Sequence, residues 1–239
     1  MSAVYKKEMG QYLHTMPGYL FAAGFLLGGG LLFSTHNILG KSMDLKPLWH
    51  GIEYVLLILV PLLTMRLLAG ERSRKTDMVL MTAPVSAWSV AAAKFLAALS
   101  VFSSALVISL LYPLILCLYG SPSWAEILNG YLGVFLLGSA AIAIGLFISS
   151  LMRRPLPALL SALGVMLFVM LIDSASLWLK AGIIKSVVLW AAPLSNAAYF
   201  VNGFINVPSV IYFVSVTVLF MYLTMRSLEH AKWSKGRRP

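Results

Sequence analysis

Few residues in this chain are equipped for chemistry, and their positions limit what that chemistry could be. The four histidines, His14, His36, His50 and His230, all fall outside the centres of apolar runs. A haem held between helices needs imidazoles inside them. The stretch THNILGKS ends in Gly40-Lys41-Ser42, the tail of a phosphate-cradling loop. Such a loop needs a glycine five residues before Gly40, where Thr35 stands, and a strand before it. Ser149 and Ser150 lie in a Gly-rich run with no His or Asp at a matching depth, which fits close helix packing better than hydrolysis. Three acids, Glu53, Glu126 and Asp173, stand near the ends of apolar runs, where charge is expensive. Either water at the interface solvates them, or Glu53 and Asp173 line the outer mouth of a pathway and meet cationic or polar groups. No catalytic residue, cofactor site or metal ligand is expected on the chain.

The elements that would position these residues are written in the composition. Of 239 residues, 60% are hydrophobic and 11% charged. A soluble domain carries about a quarter charged residues, so the natural solvent for this surface is lipid. Cys117 is alone, which removes disulfides from the design. The first sixteen residues mix polar and apolar types without a small-residue cleavage site after the first apolar run, so no cleavable signal peptide is expected. A bilayer-crossing helix needs about 20 mainly apolar residues. Six segments qualify: 17–34, 51–69, 95–119, 127–151, 156–173 and 207–226. Between the fifth and sixth, 174–206 is apolar but interrupted by Lys180, Gly182, Lys185, Pro193 and Asn196. It reads as short helices that dip into the membrane or lie on it, their backbone satisfied by protein or a water cavity. The whole chain reads as one all-α integral membrane domain.

Six spans put both termini on one side. Of the eighteen Lys and Arg, only Lys41, Lys46, Lys180 and Lys185 fall on the other. The positive-inside rule then places both termini, the 70–94 loop, the Arg153-Arg154 turn and the basic tail 227–239 in the cytoplasm. The net charge of +10 reflects this topology and contact with anionic headgroups, and requires no nucleic acid.

Two polar segments stand out. In residues 1–16, Tyr5, Met9, Tyr12 and Met16 recur at helical spacing while Lys6, Lys7, Gln11 and His14 face elsewhere. This fits an interfacial helix lying flat before the first span, with Pro17 at the bend; the alternative is a basic tail. The second segment is TMRLLAGERSRKTDMVLMTAPVSAWSVAAAKF, from Thr64 to Phe95. Glu71 and Lys75 stand at i,i+4 and support a helix continuing past the membrane surface. Met78 to Met81 form an apolar knob, Pro84 ends the segment, and Ser86 can cap the next helix. Such a knob is a protein contact or a loop dipping into lipid.

This segment resembles the signature of ABC-2 type permeases, and most of all the gliding-motility-associated ABC permeases. Three further stretches agree: YKKEMGQYLHTMPGYLFAAGFLLGGGLLF, LYPLILCLYGSP and GYLGVFLLGSAAIAIGLFISSL. Together they cover about the first 155 residues in order. The sequence departs from the pattern at Gly70 and Lys75. The resemblance implies a permease subunit with two transmembrane halves, the second identical or related, over two copies of a separate ATP-binding subunit that holds ATP and Mg. It implies that Glu71, Arg72, Arg74, Lys75, Thr76, Asp77, Met78, Leu80, Met81 and Thr82 form the coupling helix resting on that ATPase. Tyr5, Met9 and Tyr12 belong to an elbow helix at the same contact. The 174–206 segment corresponds to extracellular re-entrant helices over the pathway.

The implied activity is export or membrane extrusion across a bacterial inner membrane. A largely apolar wall with Ser100, Ser103, Ser104, Ser109 and Tyr112 on the third span suits a lipid-linked, peptide or amphiphilic cargo, and equally a closed seam. Two other readings stay open: an ATP-driven transducer acting on an extracellular partner without moving solute, and a stand-alone secondary transporter. The latter calls for mid-membrane charges and an internal repeat, and neither is evident in the sequence.

Overall fold

The computed structural model describes residues 2–73, 86–120, 123–178 and 192–235. Every regular element among them is helical: α1 (Ser2–His14), α2 (Met16–Phe33, prolonged by a π-helix Ser34–Leu39), α3 (Lys46–Thr64), α4 (Ala69–Ser73), α5 (Ala87–Ile108), α6 (Leu111–Leu116), α7 (Trp124–Leu151), α8 (Pro155–Trp178), α9 (Pro193–Val201) and α10 (Val207–Lys235). Six helical stretches are long and apolar enough to cross a membrane: Met16–Leu39, Lys46–Ser73, Ala87–Leu116, Trp124–Leu151, Pro155–Ser174 and Val207–His230. The expected all-α integral membrane fold of six spans is therefore present.

The spans are not equivalent. The second and fourth are 61% and 67% buried inside the chain, the others 33% or less. α3 and α7 thus form the centre, with α2, α5, α8, α9 and α10 packed around them. In lipid there is no hydrophobic drive between helices, so close approach and dispersion must hold them together. Small residues on α7 provide the approach. Gly130 lies against the Trp49 indole, Gly138 against the Phe102 ring and Gly145 against Thr64, each too close for a Cβ. Aromatic rings lock spans one, three and four: Phe21, Phe25 and Phe135 lie 6.1–6.3 Å from Phe102, centroid to centroid, or 6.0 Å from one another for Phe21 and Phe25.

Several boundaries differ from expectation, each for a local reason. The third span opens at Ala87, not near 95. The Ser86 side chain accepts a hydrogen bond from the Ser89 N–H, and an alanine-rich run propagates the helix. The same span breaks at Ser109-Leu110 before resuming as α6. Pro113 there has no N–H to donate and its ring crowds the Ser109 carbonyl four residues back. The helical residues between Ser86 and Lys94 leave a shorter loop than the expected 70–94. α8 runs on to Trp178, beyond the expected end of the fifth span, and α10 carries the supposed tail as helix to Lys235. Met16, grouped by spacing with the α1 face, instead opens α2 and is 83% exposed.

The polar residues of the third span serve packing. Ser100 meets Tyr5, Ser109 meets Tyr131, and the Tyr112 hydroxyl donates to the Leu26 carbonyl. Gly40-Lys41-Ser42 lies in a turn after the π-helix, where the Asn37 amide donates to the Ser42 and Asp44 carbonyls. Ser149 on α7 accepts from the Leu68 and Ala69 N–H groups, satisfying the backbone where the second span breaks between α3 and α4.

Replacing Gly138 with Leu is expected to cost about 1–3 kcal/mol through overpacking against Phe102, read as a lower melting temperature in detergent. Gly164→Ala, where a Cβ meets nothing within 4 Å, should leave melting unchanged or raised. Equal losses from both would reject the close-packing account of α7.

Candidate functional site

The candidate site sits on the side of the membrane that carries both termini, at the two ends of the loop between the second and third spans. Lys94 stands two turns into α5 within the run AAAKFLAAL, whose small side chains let neighbouring helices approach. It is fully buried. An ammonium carries three N–H donors and must be paired when taken out of water. Three acceptors surround it: Glu8 Oε1 at 2.7 Å, Glu71 Oε2 at 2.9 Å and the Leu67 carbonyl at 2.6 Å. Glu8 comes from α1, Leu67 from the break after α3, and Glu71 from α4. The second Glu71 oxygen accepts from Lys7 Nζ at 3.3 Å. Among the described residues, two lysines and two glutamates thus form a neutral cluster whose inner three members are at most 8% exposed.

The elbow helix is fastened around this cluster. Tyr5 shares a 2.9 Å hydrogen bond with Ser100, Met9 packs on the core, and the Tyr12 hydroxyl donates to the Leu63 carbonyl at 2.8 Å. Burial first, and the Glu8 charge second, hold the Tyr12 phenol well above its usual range, so it remains a donor. Tyr5, Glu8, Met9 and Tyr12 occupy one face at i, i+3, i+4 and i+7. That face meets protein, chiefly α5.

Of the residues expected to couple to a partner, Glu71 and Arg72 lie in α4. Arg74, Lys75, Thr76, Asp77, Met78, Leu80, Met81 and Thr82 lie outside the described residues, and so does the Glu71–Lys75 pair. Beyond the expected pairing with Lys75, the Glu71 carboxylate spans Lys94 and Lys7. Glu8 was missed, although it shares the tyrosine face of α1. Lys94 was expected at the mouth of the third span rather than within it. The available signal was a lysine with no acid within four residues on its own helix, which must find its counter-charge elsewhere.

On the opposite side, the structure puts the two acids near the membrane ends to different uses. The Asp173 carboxylate caps α9, accepting from the Leu194 N–H at 3.1 Å and from the N–H and hydroxyl of Ser195, both at 2.9 Å. An acid at a helix N-terminus is favoured by the unpaired N–H groups and the dipole. α9 is thereby pinned inward, with Leu194, Ala197, Phe200 and Val201 buried. Glu53 is 1% exposed, so solvation at the interface does not apply to it. His50 Nδ1 approaches one oxygen at 3.4 Å, while Oε1 has no hydrogen-bond partner among the described residues. Glu126 is exposed at the start of α7. Beneath the acid pair, an apolar cavity of about 340 Å³ lies between spans two, four, five and six, with Leu57, Ile172, Pro193 and Tyr212 in its wall.

A family model described as ABC-2 family transporter protein matches residues 10–233. No curated protein matches the chain.

Lys94→Met leaves buried Glu8 without its counter-ion and Glu71 with only the half-exposed Lys7 among the described residues. It should cost on the order of 3–5 kcal/mol, read as a marked loss of melting temperature and yield. Adding Glu8→Gln and Glu71→Gln to it should recover most of that loss, because the three charges leave together. If the three substitutions instead add independently, the cluster is not an energetic unit.

Proposed function

The chain belongs to the ABC-2 transporter family and is a membrane permease subunit of an ABC transporter; from that premise we propose how it is driven. The family implies pairing with an ATP-binding subunit and with another permease. The reading is that ATP hydrolysed on the separate subunit moves the segment 71–82, and that the buried cluster of Lys94, Glu8 and Glu71 passes this movement into the spans. The observation that carries it is the cluster itself. It ties the chain just before the loop, the helix just after it and the elbow helix into one charged joint. A push on the loop cannot tilt α4 without dragging α1 and α5, because separating the charges would strand one of them in low dielectric.

Three finer elements belong to the same proposal. The asymmetry of Lys and Arg supports cytoplasmic termini in a bacterial inner membrane. The stretches shared with gliding-motility-associated permeases favour that subfamily. Glu53 and Asp173, above an apolar cavity of a size suited to ligands, favour an outward pathway for a cargo with both apolar and cationic or polar parts.

The driving test is affinity purification from mild detergent with mass spectrometry of co-purifying proteins. The wild type should bring down a P-loop ATPase. A variant with Met78, Leu80 and Met81 changed to Asp should lose it while its membrane partner is retained. Recovery of the ATPase with the altered loop would overturn the coupling reading. For the outer acids, Glu53→Gln with Asp173→Asn should lower cargo-stimulated ATPase several-fold at unchanged basal rate, and unchanged stimulation would remove them from the pathway.

A further inference from the structure

Beside the ion cluster is a polar cavity of about 280 Å³, walled by Lys7, Gln11, Thr15, Arg66, Ser73 and Pro155, among others. Glu8 and Glu71 also border it, but both are already held by Lys94, and Glu71 by Lys7 as well. Their charge is spent inside the protein. What remains unbalanced is positive. Arg66 lines the cavity and is exposed, and Arg153 and Arg154 are exposed immediately before Pro155 in its wall. None of these three arginines has an acidic partner among the described residues. A planar guanidinium recognises a phosphate oxygen pair with parallel N–H donors.

Depth decides which phosphate. Pro17 and Pro155 stand in the first turns of spans one and five, and both line the cavity. The cavity therefore opens at headgroup level. Just inside the membrane from these prolines, Leu20, Leu156 and Leu160 are more than half exposed. A cationic recess at the surface with exposed leucines below it matches an anionic head on apolar chains. Basic pockets between spans bind lipid headgroups by this arrangement.

We propose that this recess, between the elbow helix and the turn joining spans four and five, binds the phosphate headgroup of an anionic bilayer phospholipid. The lipid bridges Arg66 at the end of span two, Lys7 on the elbow helix and the Arg153-Arg154 turn. It therefore braces the same elements that the Lys94 cluster joins from within. The inference rests only on the spans crossing a bilayer, and is independent of how ATP is coupled.

The test uses the full chain purified without any ATP-binding subunit, in nanodiscs of mixed phosphatidylglycerol and phosphatidylethanolamine, with retained lipid read by native mass spectrometry. The wild type should retain phosphatidylglycerol in preference by roughly tenfold, and the preference should fall as salt is raised. Arg66→Gln with Arg154→Gln should abolish the preference. Arg226→Gln, which removes an arginine already paired with Glu229 and Tyr222, should leave it intact. Three results would overturn the proposal. One is equal retention of the two lipids by wild type. Another is an equal effect of Arg226→Gln. The third is that excess ATP-binding subunit displaces the lipid in wild type, which would assign the arginines to an acidic protein surface.

Discussion

A single buried ammonium constrains more of this structure than any other group. Lys94 is sealed from water and lipid, and its three protons are met by two carboxylates and one carbonyl. Each acceptor comes from a different element, so the position of one fixes the others. α1 cannot slide along the membrane surface without withdrawing Glu8. The break after α3 cannot straighten without turning the Leu67 carbonyl away. A charge pair at this depth adds little net stability against an apolar replacement, but removing one partner is severe. The cluster therefore acts as a joint that holds geometry, more than as glue.

The joint depends on how closely the helices approach. Ala91, Ala93, Ala97 and Ala98 on α5 are wholly buried, and side chains this small let neighbouring helices approach closely. α7 does the same through its glycines against Trp49, Phe102 and Thr64. Ser149 adds a polar contribution, because its hydroxyl takes up the N–H groups freed where the second span breaks. Without that acceptor the break would expose unpaired backbone at membrane depth, which lipid does not tolerate. The break in turn presents both the Leu67 carbonyl and Glu71 to Lys94, so packing on α7 and charge pairing on α5 support one another.

The opposite side is organised by a different use of the same group. Asp173 caps α9 and draws that short helix into the bundle, while Glu53 stays buried with one oxygen lacking a protein partner. One carboxylate is engaged by backbone N–H groups, while the other keeps an oxygen without a partner among the described residues. At the end that carries α1, the charges of the Lys94 cluster neutralise one another, and Arg66, Arg153 and Arg154 stand exposed around it. The two ends of the bundle thus differ: a buried ion cluster at one, and two buried carboxylates near an apolar cavity at the other.

Composition and run length alone determined that the chain is helical, lies in a membrane and crosses it six times, because a bilayer admits few other solutions and demands a fixed length. Local chemistry marked the Ser86 cap and the tyrosine face of α1. The partners of charged residues were decided only in three dimensions. Lys94 lies 86, 27 and 23 residues from its partners Glu8, Leu67 and Glu71, and no helical period links them. Asp173 finds the N-terminus of α9 from 21 residues away. Hydrophobic patterning reports which face is buried, whereas a charge's counter-ion is set by which helices pack together, and that depends on the small-residue contacts of α5 and α7 across the whole bundle.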